Sequence, residues 1–304
     1  MASKKQVSWL DGKVIDAEKA RVPILTHSLQ YGSGIFEGIR CYDTDIGPEV
    51  FRLDAHLKRF FYTAKIYGMD LGFSEGQLFE AVLKTVKASG LRECYIRPFA
   101  FYNDSRIGMS TVGKKVSVFI GLQEMGAYLG GKNQGVSCKV SSWRRINSNI
   151  LPVEAKASGN YLNSIIANAE AKKAGYDEAI FLSGNGYVAE GPGENIFLVK
   201  DGGLITPNKS SDILLGITRD SLIEIAASLG IKTEERLVHR EELYTADELF
   251  FAGTAAEITP IYSVDGIKVG DGKREITGLL HKTYMDIVHG KNEDFKKWLF
   301  YLKN

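Results

Sequence analysis

Glu190-Gly-Pro-Gly-Glu-Asn195-Ile-Phe197, followed by Leu204-Ile-Thr206 and Leu214-Leu-Gly216-Ile217-Thr-Arg219, is the stretch on which the reading of this chain turns. Tyr187–Ala189 reads as a short strand, so Glu190 stands at its end and opens a tight glycine loop where side chains are aimed rather than buried. Taken alone, a carboxylate there reads more readily as a turn residue bonded to backbone. Gly184-Asn185-Gly186 and Asp201-Gly202-Gly203 each have the composition of a hairpin turn. Leu215-Gly216-Ile217-Thr218 opens a helix, Thr218–Leu229, that stops at Gly230. Its first-turn amides could hold an anion such as phosphate, and an ordinary cap by Thr218 reads equally well.

Upstream, Asn160 caps a helix from Tyr161 to Ala174, with Leu162, Ile165, Ile166 and Ala169 expected as its buried stripe. Lys156-Ala-Ser-Gly-Asn-Tyr161 delivers an amine and a phenol to one corner. A given lysine is more often a solvated surface charge, but these small, weakly charged neighbours would let a planar group approach. Strand Val136–Ser142 comes before, and Gly126–Gly135, with four glycines, fits a connection between domains. The first half reads as a hairpin Val7–Ile15 turning on Asp11-Gly12, strands Gly34–Tyr42 and Glu49–Leu53, and a helix capped by Asp54 with Leu57, Phe60, Phe61 and Ala64 at helical spacing. Ser74 and Gln77 form a capping-box signature for a helix ending at Gly90. In strand Glu93–Tyr102, Tyr95, Arg97, Phe99 and Phe101 share a face, and Pro98 argues for an edge position. Val116–Leu122 completes this half. Downstream, strand Glu248–Ala252 leads into Gly253-Thr254-Ala255-Ala256, whose small side chains leave main-chain N–H groups accessible.

The 304 residues suit one large domain plus a smaller one. Lys+Arg 38 against Asp+Glu 37 leaves no basic field to attract nucleic acid or an anionic membrane, so a small-molecule partner is expected. Cys41, Cys94 and Cys138 lack paired or metal-ligand spacing, which predicts reduced thiols and no metal site. The N-terminal residues lack an apolar signal core and no apolar run is long enough to span a bilayer, so a cytoplasmic location is expected.

The gapped run from Glu190 to Arg219 resembles the class IV aminotransferase signature. Tyr31-Gly-Ser-Gly-Ile-Phe36-Glu-Gly38-Ile-Arg40-Cys-Tyr42, Ala64-Lys-Ile-Tyr67, Tyr95-Ile-Arg97-Pro98, Gly126-Ala-Tyr128-Leu-Gly130, Ser141-Ser-Trp143 and Gly253-Thr-Ala-Ala-Glu-Ile-Thr-Pro260 resemble the bacterial branched-chain amino acid enzymes in particular. The likeness spans nearly the whole chain. It implies an α+β, two-domain fold-type IV architecture: a smaller N-terminal α/β domain over 1–124, an interdomain loop over 125–135, and a larger domain with a barrel-like sheet over 136–304. It also implies pyridoxal 5′-phosphate as cofactor. On this likeness Lys156 forms the Schiff base and shuttles the proton, Glu190 bonds the pyridine nitrogen, and Tyr161 bonds the phenolic oxygen. Arg59, the amides of Ile217 and Thr218, and Thr254 bind the phosphate, with Leu214 packed on the ring. Tyr31, Phe36, Tyr128 and Tyr161 line the side-chain pocket, joined by Ile107 and Met109 from the neighbouring subunit of at least a homodimer. Gly38, Tyr95, Arg97, Thr254 and Ala255 handle substrate carboxylates. Two residues depart from the pattern: Pro192 stands where a small residue is usual and stiffens the loop after Glu190, and Met125 stands where some relatives place tryptophan.

The expected reaction is transamination of L-leucine, L-isoleucine and L-valine with 2-oxoglutarate. An isobutyl group and a charged propanoate must then share one pocket. Arg97 supplies the charge and Phe36, Tyr31 and Tyr128 the apolar surface; without the family resemblance, Arg97 reads as readily as a surface ion pair. D-amino acid aminotransferases and aminodeoxychorismate lyases would share Lys156 and Glu190, but Phe36–Tyr42 and Tyr95–Arg97 favour the branched-chain reading. A non-catalytic cofactor-binding protein would have no need of both Lys156 and Glu190.

Overall fold

The computed structural model describes residues 6–125 and 135–302. The chain divides into two compact units: 6–125, 155–159 and 287–302 in the first, 135–154 and 160–286 in the second. The first unit therefore includes a chain-terminal segment and the five residues around Lys156, both of which the sequence pattern places in the 136–304 half. The terminal strand Leu299–Tyr301 pairs antiparallel with Gly47–Phe51, which ties it to the first sheet.

That sheet is antiparallel throughout, in the order Leu299–Tyr301, Gly47–Phe51, Ile39–Thr44, Cys94–Tyr102, Val116–Gln123, Val7–Leu10, Lys13–Asp16. The hairpin turns on Asp11 and Gly12, both at positive φ, as its Asp-Gly turn requires. Two long helices accompany this sheet. Leu53–Ile66 buries Leu53, Leu57, Phe60 and Ala64 in the core, and each large apolar side chain so buried contributes about 1.5–3 kcal/mol. Its N-cap is Arg52 in a left-handed conformation, and Asp54 lies inside the first turn, where its charge favours the helix dipole without capping it. Glu75–Ser89 starts on the Ser74/Gln77 capping box and stops at left-handed Gly90.

Pro98 does not mark an edge. Cys94–Tyr102 is central, with Val116–Gln123 along one side and two separate segments along the other: Ile39–Thr44 beside its first half and Gly34–Phe36 beside its second. The expected continuous strand Gly34–Tyr42 is broken at Glu37-Gly38. Pro98 faces that break, where its carbonyl accepts from Glu37 N at 2.9 Å. The missing N–H thus falls where no regular ladder partner exists.

The second unit holds a mixed sheet in the order Thr233–Arg236, Gly203–Pro207, Asn195–Lys200, Glu248–Gly253, Glu257–Val264, Val136–Arg144, Glu178–Leu182. Parallel pairs sit at both ends and antiparallel ones between. The strand expected at Tyr187–Ala189 reduces to a single bridge, Val188 to Leu182. Helix Tyr161–Lys173 buries the opposite face from the one expected: Ser164, Ala167 and Ala171 are inside, whereas Leu162, Ile165 and Ile166 are 66%, 61% and 40% exposed. Small side chains let this helix approach the sheet closely, which leaves its large apolar ones outward. Among the described residues no helix is long and apolar enough to cross a membrane.

Candidate active site

In the first unit, the candidate residues gather around the Glu37-Gly38 break. Lys156 is held through its backbone: its carbonyl accepts from Phe36 N at 3.0 Å and its amide donates to Thr63 Oγ1 at 3.2 Å. Its side chain is half-buried, with Nζ 5.0 Å from the centre of the Phe36 ring, so it is not a fully solvated surface charge. Helix Leu53–Ile66 presents His56, Arg59 and Thr63 at i, i+3 and i+7, one face of 3.6-residue periodicity. The Arg59 guanidinium forks onto Glu37, Nε to Oε1 at 2.7 Å and Nη2 to Oε2 at 2.9 Å, and His56 Nδ1 lies 2.8 Å from Oε2. Burial alone would raise the Glu37 carboxyl, but the charge and hydrogen bonds of Arg59 with those of His56 hold it well below the usual range. Burial pushes His56 down, Glu37 partly opposes this, and the charges of Arg59 and Lys156 add to the depression.

On the adjoining strand Tyr95 is buried and Arg97 exposed. Arg97 donates from Nη2 to the Tyr95 hydroxyl at 3.0 Å, and its Cζ lies 4.5 Å from the Phe36 ring centre and 5.1 Å from that of Tyr95. No carboxylate among the described residues pairs with it, so this is a cation laid on an aromatic wall and not a surface ion pair. Gly38 makes room for that wall, because a Cβ there would collide with the Tyr95 hydroxyl. Tyr31 sits apart, with its hydroxyl accepting from Gly108 N at 3.3 Å. Ile107 and Met109, on either side of Gly108, are 75% and 78% exposed.

The second unit carries Glu190, 4% exposed. Arg145 Nε donates to its Oε1 at 2.8 Å, while Asn195 Nδ2 at 3.0 Å and the Leu214 amide at 3.1 Å donate to Oε2. Partners 45 and 24 residues away show that Glu190 is anchored by tertiary structure and is not a local turn carboxylate. Leu214, half-buried, leads into helix Ile217–Ser228, whose N-cap is Gly216 with no side-chain cap; Thr218 is buried in the first turn and does not cap it. A Cβ at Gly216 would strike Asn195 Oδ1, so the glycine lets the helix start pack against the residue that grips Glu190. Tyr161 is half-buried at the start of its helix, and Thr254 and Ala255 are half-buried after strand Glu248–Gly253. Tyr128 lies outside the described residues.

Glu37, His56, Thr63, Arg145 and Asn195 were not singled out from sequence. Glu37 and Asn195 lie inside the quoted motifs, and His56 shares a helical face with Arg59. Nothing local distinguishes Arg145, which meets Glu190 only through the fold.

A family model described as "Amino-transferase class IV" matches residues 34–264. The chain is 44% identical over 304 residues to the branched-chain-amino-acid aminotransferase of Escherichia coli K12, covering 98% of each chain. Its fold matches the branched-chain aminotransferase of Thermoproteus uzoniensis solved with norvaline, at TM-score 0.94 and 47% identity over 98% of this chain and 100% of that one. It also matches the branched-chain amino acid aminotransferase of Thermobaculum terrenum solved in its PLP-form, at TM-score 0.94 and 34% identity over 99% of this chain and 100% of that one.

Proposed function

The chain belongs to the class IV aminotransferases, and on that premise we propose that it uses pyridoxal 5′-phosphate to transfer the amino group of L-leucine, L-isoleucine or L-valine to 2-oxoglutarate, giving branched-chain 2-oxo acids and L-glutamate. The observation that carries the substrate reading is Arg97, a cation lying over the rings of Phe36 and Tyr95. One wall of this kind can meet both a hydrocarbon side chain and a distal carboxylate.

The donor chemistry of each unit fits the cofactor. Glu190 is a buried carboxylate suited to a protonated pyridine nitrogen, the helix start at Gly216 lacks a side-chain cap and suits a phosphate, and Lys156 is a half-buried amine on a backbone fixed at both its amide and its carbonyl. When bound, pyridoxal phosphate supplies the electron sink for the substrate's Cα–H bond electrons. Lys156 would hold the cofactor covalently and, once the substrate's amine has displaced it, would be the amine that takes the Cα proton and returns it at the cofactor's C4′. Glu190, its carboxylate held by Arg145 and Asn195, would keep the ring nitrogen protonated. Tyr161 would donate to the ring's phenolic oxygen. Arg59, the Ile217 and Thr218 amides and Thr254 would be the groups that hold the phosphate, and Leu214 would cover the ring. Tyr95, Gly38, Thr254 and Ala255 orient the shared α-carboxylate. Phe36, Tyr31 and Tyr128 provide apolar surface.

The protein works as at least a dimer in this reading, with Ile107 and Met109 reaching a partner's pocket. The Tyr31 hydroxyl is bonded between these two residues, at Gly108. The test is an assay of the purified protein with 2-oxoglutarate and either L-leucine or D-alanine. Glutamate should form from L-leucine, and preferential use of D-alanine would overturn the substrate reading.

A further inference from the structure

Glu37 is wholly buried, and so is the His56 side chain to within 2%. Burying a carboxylate costs several kcal/mol unless charge and hydrogen bonds offset it. Here four donors converge on it: Arg59 Nε, Arg59 Nη2, His56 Nδ1 and, at 3.3 Å, the Gly38 amide. An ionised carboxylate only accepts, so His56 must carry its proton on Nδ1. His56 and Arg59 stand one turn apart on a single helix, and Glu37 lies between Phe36 and Gly38 at the strand break. The carboxylate thus joins the helix bearing Arg59 to the backbone bearing two substrate-side residues. A fork of two parallel N–H···O bonds fixes the plane of a guanidinium in a way that one contact does not. His56 limits the rotation of the carboxylate that makes the fork.

We propose that Glu37, buttressed by His56, is a positioning residue that presets Arg59 as a ligand for the phosphate of the cofactor. This rests on the reading of Arg59 given above. Pre-orientation removes the cost of ordering a long, flexible side chain at the moment of binding. It acts through Arg59 alone, so its energetic effect should be confined to ligands that carry the phosphate.

The test compares pyridoxal 5′-phosphate with pyridoxal, which lacks the phosphate, in spectroscopic titrations of cofactor-depleted protein. Wild type should bind the phosphorylated compound much more tightly. Glu37→Gln should weaken pyridoxal 5′-phosphate by about ten- to hundredfold, the range of a charge-assisted hydrogen bond, and leave pyridoxal within about twofold, because pyridoxal has no phosphate for Arg59 to meet. Should Glu37→Gln fail to fold, Glu37→Asp keeps the charge but withdraws the carboxylate, and the same narrowing of the two affinities is expected. Equal weakening of both compounds would reveal a general packing role and overturn the proposal, as would an unchanged ratio. Arg59→Gln separates the two layers. If it narrows the ratio and the Glu37 variants do not, the positioning role falls and the Arg59 assignment stands. If it leaves the ratio unchanged, both fall together, and a wild type that binds neither compound rejects the function itself.

Discussion

Arg97 bears most directly on how one pocket accepts two kinds of side chain. Its guanidinium lies over the Phe36 ring and donates to the Tyr95 hydroxyl, an arrangement that leaves apolar surface and positive charge side by side. Arg97→Leu should lower kcat/KM for glutamate and 2-oxoglutarate by about ten- to hundredfold, the equivalent of roughly 1.5–3 kcal/mol. The half-reaction with leucine should change much less. Stopped-flow measurement of cofactor absorbance separates the two; equal losses would place Arg97 at the α-carboxylate or in the framework, and no loss in either would move the role to another cation such as Arg40. At this scale the sequence was informative wherever a residue sat in a motif. Lys156, Glu190 and Arg97 were assigned through the family resemblance; taken alone, each read as readily as a solvated lysine, a turn carboxylate or a surface ion pair. Arg145 could not be picked out, since its partner is 45 residues away and only the fold joins them.

Among the elements, helix Leu53–Ile66 carries the clearest pH signature. Burial first, then the charges of Arg59 and Lys156, hold His56 below its ordinary value of 6.5, against the pull of Glu37. The unfolded chain therefore binds a proton that the folded chain does not, and stability falls as pH drops below about 6.5. Glu37 is depressed from 4.5 and adds a loss of the same sign below that value. Denaturant unfolding between pH 7 and 5 should show a decline of up to about 1.4 kcal/mol per pH unit from His56, with Glu37 adding to it only below 4.5. His56→Asn should flatten the upper part of that decline, and an unaltered slope would mean that folding does not shift the titration of His56. The same elements show where pattern reasoning stops. The Ser74/Gln77 box and the Asp11-Gly12 hairpin are local chemistry and were legible. Pro98 was misread because its tolerance in a central strand depends on a break in the neighbouring strand at Glu37-Gly38, which periodicity does not reveal. Helix Tyr161–Lys173 misled for a related reason: close packing selected its small face, and the apolar stripe turned outward.

For the molecule as a whole, motifs distributed from Tyr31 to Pro260 made the two-unit α+β architecture readable, whereas the return of the terminal strand Leu299–Tyr301 to the first sheet depends on contacts that carry no local signal. Leu162, Ile165, Ile107 and Met109 are each more than 60% exposed. Apolar surface of that extent is costly to leave in water and suits association. Sedimentation at assay concentration should find at least a dimer, and a fully active monomer would refute the borrowed-pocket proposal. The central claim is that this chain is a pyridoxal-phosphate aminotransferase whose chemistry passes through Lys156, and borohydride reduction of the purified yellow protein followed by peptide mapping tests it most directly. The cofactor should become fixed to the peptide containing Lys156; a label on any other lysine, or none at all, would contradict the account.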